Sequence, residues 1–120
     1  MWILIKHDLT VNFARVKKLS AYDRYDRFHV YAQFVDGEVK LLDSAPTKQA
    51  ADYDIAEFDE IQKLYCYTPQ NIKLGDVYSN DVNYIKADNG KFAAYFGKQI
   101  VQFDYDGYLI NLICKLNGVC

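Results

Sequence analysis

The stretch from Phe28 to Asp43, FHVYAQFVDGEVKLLD, predicts a β-hairpin. Its first half alternates with a period of two, so that one face carries Phe28, Val30, Ala32 and Phe34 and the other carries His29, Tyr31, Gln33 and Val35. Asp36-Gly37 follows at once, and both residues tolerate the positive φ of a tight turn. The return strand is therefore EVKLLD.

A helix is predicted directly after this hairpin. Ser44 and Thr47 are the two candidate N-caps, and Pro46 lies where a missing amide costs little. From Thr47 to Tyr65 the apolar residues recur with a helical period and gather on one face, formed by Ala51, Ile55, Phe58, Ile61 and Tyr65. The opposite face carries Asp52, Asp59, Glu60 and Lys63. The pattern predicts a helix lying on a sheet.

Asp54 does not fit this division, because its position on the helical wheel falls among the apolar residues. A buried carboxylate needs a partner, such as a tyrosine hydroxyl, an arginine or His29. The alternative is a position at the rim of the helix, where the side chain reaches water.

The remaining elements extend this hairpin and helix in both directions along the chain. Trp2–Ile5 predicts an opening strand, and Val16–Tyr22 a second element. After Pro69 the chain reads as β structure in the runs NIKLGDVY, VNYIKA, KFAAYF, QIVQFD and YLINLICKL. The last run, Tyr108–Leu116, is the most apolar and is expected to be a central strand, since an exposed edge of that character invites aggregation.

Together these elements predict an α+β fold. An N-terminal antiparallel sheet of three or four strands carries one main helix at about residues 47–65, and a C-terminal β meander extends that sheet or packs as a second layer. With 120 residues, the chain is expected to form a single domain, with β-hairpins and helix in 1–66 and the meander in 70–120.

The first half also resembles a class of short bacterial and phage proteins of unknown function. The resemblance rests on the Met-Trp-Ile opening, the Asn12 to Val16 spacing, the Asp-Gly hairpin and the helix with alanine at its start, and it covers about residues 1–65. Those proteins normally stop after the helix, whereas this chain adds β structure. The resemblance implies no activity.

Composition and charge narrow the classes of function. Tyrosine dominates an aromatic content of 16%, and tyrosine is a residue that protein interfaces favour. The net charge of −2 disfavours a general affinity for phosphate backbones. Residues 36–60 hold two basic and eight acidic residues, so acid is concentrated there. Three cysteines without close spacing favour a reduced cytoplasm, and the short apolar start favours neither a signal peptide nor a membrane span.

No pattern in the sequence favours a catalytic site, a cofactor-binding site or a metal site. A cysteine hydrolase would need Cys66 or Cys114 beside His7 or His29, but neither histidine lies in a recognisable motif. Cys120 lies at the end of the sequence. The carboxylates of Asp104 and Asp106, with Asp81 and Asp88 nearby in sequence, lack the ligand order of a calcium loop. The glycines stand singly at turns and form no phosphate cradle.

The leading functional hypothesis is a small non-enzymatic module that binds a protein partner, as a monomer or a homodimer. Its candidate binding residues are Asp52, Tyr53, Glu57, Asp59 and Glu60, because carboxylates on a rigid helix can occupy a basic groove. By analogy, one concrete form is a phage or mobile-element inhibitor of a host nuclease, of the anti-CRISPR kind. The alternative reading of this helix is a solvated charged face whose first-turn acids complement the helix dipole.

A second hypothesis is a nucleic-acid-binding or regulatory protein that uses the segment around residues 15–27. Its candidate residues combine cations with aromatic rings: Lys17, Lys18, Tyr22, Arg24, Tyr25 and Arg27. Such a surface can stack bases and bind phosphates. Asp23 and Asp26 alternate with the arginines, so local ion pairs can neutralise part of this charge.

Overall fold

A computed structural model describes residues 1–65 and 67–119. Within them it confirms the α+β class, with ten strands and two helices, and all paired strands are antiparallel. The chain divides into two compact units: Met1–Arg15 with Tyr67–Cys120 forms the first, and Val16–Cys66 forms the second.

In chain order the elements are β1 (Trp2–Lys6), β2 (Leu9–Asn12), β3 (Val16–Arg24), β4 (Arg27–Phe34), β5 (Val39–Ala45), α1 (Lys48–Tyr65), β6 (Lys73–Leu74), β7 (Val77–Tyr78), β8 (Tyr84–Asp88), β9 (Lys91–Phe96), β10 (Gln99–Phe103) and α2 (Leu109–Leu116). Short 3-10 turns lie at Phe13–Arg15 and Ser79–Asp81. The predicted opening strand, hairpin, main helix and meander are therefore present.

The first unit is a five-stranded sheet in the order β1-β2-β8-β9-β10, with β6 and β7 as a separate hairpin. The opening strands belong to this sheet rather than to an N-terminal sheet with the hairpin of residues 28–43. The side chain of Asn117 holds β1 in place: its Oδ1 accepts a hydrogen bond from the backbone amide of Trp2 at 2.8 Å, and its Nδ2 donates to the Trp2 carbonyl at 2.9 Å.

The expectation that Tyr108–Leu116 forms a central strand is wrong, because Leu109–Leu116 is the helix α2. Its buried residues are Leu109, Leu112, Ile113 and Leu116, which recur at helical spacing. The backbone amide of Tyr108 donates to Asn111 Oδ1 at 3.1 Å at the start of the helix. At its end, Gly118 takes a φ of 71°, the left-handed conformation that commonly stops a helix.

The second unit is the three-stranded sheet β3-β4-β5 with α1 packed on one face. A turn at Asp36-Gly37 joins β4 to β5 as predicted, but only Gly37 has a positive φ, of 92°, and Val35 and Glu38 lie outside the two strands. Of the two candidate caps, Thr47 starts the helix, since its Oγ1 accepts a hydrogen bond from the Ala50 amide at 3.1 Å. The core between sheet and helix centres on Val30, Ala45 and Ala51.

Candidate interaction surfaces

The outward face of α1 forms the first candidate surface, which we name the acidic helix surface. It consists of the five predicted residues Asp52, Tyr53, Glu57, Asp59 and Glu60, all of which are exposed. Tyr53 is 69% exposed, and Leu64, on the same stripe of the helix as Tyr53 and Glu57, is 70% exposed. The structure therefore places carboxylates and two large apolar side chains together in solvent.

The carboxylates of this surface are not neutralised within the unit. Among the residues that the structure describes, no ion pair engages Asp52, Asp59 or Glu60. The carboxylate of Glu57 lies near Asp54, and its negative charge contributes to raising the pKa of Asp54. The surface therefore presents a net negative charge, with the exposed Lys63 on the same side of the helix.

The partner of Asp54 is not one of those predicted from the sequence, which were a tyrosine, an arginine and His29. Its carboxyl group forms a hydrogen bond with that of Asp43 on β5. Burial first, then this hydrogen bond and the charges of Asp43 and Glu57, raise the pKa of Asp54 from 3.8 to about 6. His29 is engaged elsewhere: its Nδ1 lies 2.7 Å from Ser44 Oγ and its Nε2 lies 3.2 Å from the Arg24 carbonyl oxygen.

The face of the β3-β4-β5 sheet that α1 leaves uncovered is the second candidate surface, which we name the tyrosine face. The strand register assigns to it Lys18, Ser20, Tyr22, Arg24, Arg27, His29, Tyr31, Gln33, Val39, Leu41 and Ser44. Four of the predicted nucleic-acid candidates, Lys18, Tyr22, Arg24 and Arg27, are brought together there. Lys17 is exposed at the irregularity in β3.

Tyr31 also belongs to this face, although it is not among the basic and aromatic candidates predicted from the sequence. The alternation of residues 28–35 already placed it away from the core, but the pairing of β3 with β4 brings it close to Tyr22. The ring centroids of Tyr22 and Tyr31 are 5.9 Å apart with an interplanar angle of 56°, and those of His29 and Tyr31 are 6.4 Å apart.

A shallow hollow of about 320 Å³ lies on this face. It is lined by Tyr22, Asp23, Arg24, Tyr31 and Val39. Asp23 borders the hollow, although the register pairs it with Phe28 on the helix side of the sheet. The hollow therefore offers two aromatic rings, an aliphatic side chain and a guanidinium group to a planar ligand.

The turn between β3 and β4 holds Tyr25 in an unusual backbone conformation. Tyr25 and Asp26 have φ angles of 53° and 62°, a region that bulky side chains rarely adopt. Tyr25 is 83% exposed, and the Arg24 guanidinium lies 5.3 Å from the centroid of its ring. A tyrosine and an arginine are thus presented together at the tip of the hairpin.

The first unit contains a larger open cleft, with a volume of about 640 Å³. Its lining includes the candidate histidine His7, together with Asp8, Asp88, Phe92 and Tyr108. Cys114 does not line this cleft, and in the part of the chain that the structure describes it shares no hydrogen bond with His7. Cys66 and Cys120 lie outside the described residues. The cleft thus joins His7 to carboxylates and aromatic rings, without a described thiol.

The described residues contain no group of three or more histidine, cysteine, aspartate and glutamate side chains suited to a metal ion. Neither described helix combines the length and apolar character needed to cross a membrane.

Comparisons of the chain with family models, curated proteins and solved structures gave no match.

Proposed function

We propose that this protein is a non-enzymatic interaction module whose acidic helix surface binds a basic surface of a protein partner. The observation that carries the proposal is the exposure of Tyr53 and Leu64 on the same helix as four exposed carboxylates. An apolar anchor surrounded by charge is the usual composition of a specific interface.

The shape of the surface suits an extended cationic groove. With 18 residues, α1 is about 27 Å long at the usual rise of an α-helix. Its carboxylates are fixed on this rod by the packing of Ala51 and Ile55 against the sheet. A rigid row of negative charges is attracted to a groove whose cations normally bind phosphates.

The partner class that follows is a nuclease with a cationic nucleic-acid groove. In its most specific form, the proposal makes this protein a phage or mobile-element inhibitor of a host nuclease, of the anti-CRISPR kind. Its support is the charge of residues 36–60, with two basic and eight acidic residues, and the small size of the chain. We place the interaction in the cytoplasm, which the odd number of cysteines favours.

The test is inhibition of a panel of RNA-guided nucleases by the purified protein, followed by reversal of three charges, D52K/D59K/E60K. We expect the reversal to weaken inhibition by at least about tenfold, because unlike charges become like charges across the interface. The matched control is D76K/D81K/D104K, which reverses three exposed carboxylates of the first unit and changes the net charge equally.

Two outcomes contradict the proposal at different levels. Equal inhibition by both triple variants removes the acidic helix surface from the binding site. No inhibition or binding of any nuclease in the panel by the unmodified protein removes the nuclease as the partner class.

A further inference from the structure

We propose that the tyrosine face is a separate binding surface for single-stranded nucleic acid, on which Tyr22 and Tyr31 stack on bases while Lys18, Arg24 and Arg27 contact phosphates. This inference does not depend on the proposed function of α1. It rests on the way in which the strand register distributes charge and aromatic rings between the two faces of one sheet.

The register distributes the charges of this sheet unequally between its two faces, and it assigns Lys40, paired with Ala32, to the helix side. The residues that the register assigns to the tyrosine face are all described and include Lys18, Arg24 and Arg27 but no carboxylate, although Asp23 borders the hollow on this face. The carboxylates of Asp23 and Asp43 belong to residues paired with Phe28 and Val30 on the helix side. The register positions of the tyrosine face are therefore cationic although the chain is acidic, with Asp23 as a neighbouring carboxylate at the hollow.

The aromatic rings of the face are arranged to receive a further ring. Tyr22 is 57% exposed, and its ring is tilted rather than stacked on Tyr31, so neither ring fully covers the other. The hollow is lined by both rings together with Asp23, Arg24 and Val39. Stacking of a base on an aromatic ring tolerates any sequence, because every base has a flat aromatic face.

A single strand fits these features better than a duplex does. Stacking requires bases whose faces are free, and in a duplex those faces are covered by neighbouring base pairs. Adjacent strands of a sheet lie about 4.8 Å apart, so three strands offer a platform about 10 Å wide. The exposed Tyr25 and Arg24 at the hairpin tip extend this platform beyond the sheet.

The test measures fluorescence anisotropy of labelled oligo-dT and oligo-U of about 12 nucleotides, a length typical for one small domain. We expect Tyr22→Ala to weaken binding by about tenfold and Tyr22→Phe to retain it, because stacking uses the ring and not the hydroxyl. Tyr78→Ala in the first unit is the control, since Tyr78 is similarly exposed at 50% and should not change binding. Thermal unfolding of each variant verifies its fold.

Salt dependence supplies an independent measurement on the same complex. We expect K18Q/R24Q/R27Q to reduce the slope of log K against log salt by about 2, since each lost phosphate contact on a single strand removes about 0.7.

Three outcomes overturn the inference. The first is no binding of either oligonucleotide at low salt. The second is binding that Tyr22→Ala leaves unchanged, which would make it a purely ionic attraction. The third is loss of nuclease inhibition in Tyr22→Ala without loss of oligonucleotide binding, which would assign the tyrosine face to a protein partner. Failure of the inhibition assays alone affects only the proposed function of α1.

Discussion

The two faces of the β3-β4-β5 sheet differ in charge, in cover and in aromatic content. One face packs against α1, which presents carboxylates to solvent, and the other is uncovered and carries tyrosines with arginine and lysine. The formal net charge of −2 for the whole chain describes neither of these two surfaces. Strand alternation thus places two chemically opposite surfaces on one small unit, a difference that the overall composition does not reveal.

The greatest loss of stability is expected from a substitution that disrupts the packing of α1 on the sheet. Ala51 is fully buried between them, so Ala51→Asp should lower the free energy of unfolding by at least about 3 kcal/mol through crowding and a buried charge. Urea denaturation measures this loss. Ala56→Asp on the exposed side of the same helix is the control, and equal effects of the two changes would contradict the packing of α1 through Ala51.

A tyrosine substitution on α1 should affect binding at the acidic helix surface but not at the tyrosine face. Tyr53→Ala should weaken binding of the protein partner by about tenfold, because exposed tyrosines at interface centres are common hot spots. The same change should leave oligonucleotide binding unaltered, since Tyr53 lies on α1. Parallel inhibition and anisotropy titrations measure both, and a loss in both would show that the surfaces are not independent.

A smaller effect concerns the carboxyl pair beneath the acidic helix surface. The pKa of Asp54 is higher in the folded protein than its ordinary value of 3.8, so the folded state binds the proton more tightly. Stability from this group is therefore present at low pH and is lost as pH rises from about 4 to about 6.

Asp54→Asn should remove this dependence on pH. At pH 8, it should raise the free energy of unfolding by about 1 kcal/mol or less, since water screens a partly exposed pair. At pH 4 the difference should be smaller. Urea denaturation at both pH values is the measurement, with Asp52→Asn as the exposed control. A larger gain at pH 4 than at pH 8 would contradict the Asp43–Asp54 interaction.

The smallest effect is expected at the hairpin tip of the tyrosine face. Tyr25→Asn should raise the free energy of unfolding by about 0.5 kcal/mol, because asparagine tolerates positive φ and the gain exceeds the lost contact with Arg24. It should also weaken oligonucleotide binding modestly. Asp26→Gly relieves the same turn while keeping the ring, so weakened binding in that variant would contradict a role for Tyr25.

Much of the second unit was predictable because its signals are local. The alternation from Phe28 to Val35, the Asp-Gly turn and the helical period after Thr47 are local patterns, and they correspond to β4, the β4–β5 turn and α1. Two details differ, since Asp36 has no positive φ and Tyr65 is exposed rather than on the buried side of the helix. The positions of Tyr53 and its acidic neighbours on the exposed side of α1 follow from the same period.

The remaining features depend on contacts between distant parts of the chain. The pairing of β2 with β8 and the anchoring of Trp2 by Asn117 have no local signal. The run Leu109–Leu116 is apolar enough for a buried strand or a buried helix. The Asn117-Gly118 pair that ends it is a common helix-terminating sequence, and this signal favours the helix that is observed. The closeness of Tyr22 to Tyr31 likewise follows from strand register, which the sequence did not specify.

The acidic helix surface and the tyrosine face are proposed to bind different partners, and an NMR titration of the isotopically labelled protein with oligo-dT tests this separation. We expect chemical-shift changes at Lys18, Tyr22, Arg24 and Tyr31, with the exposed residues of α1 unchanged. Changes centred on Tyr53 and the acidic helix surface, or none at Tyr22 and Tyr31 while the oligonucleotide binds, would contradict the claim.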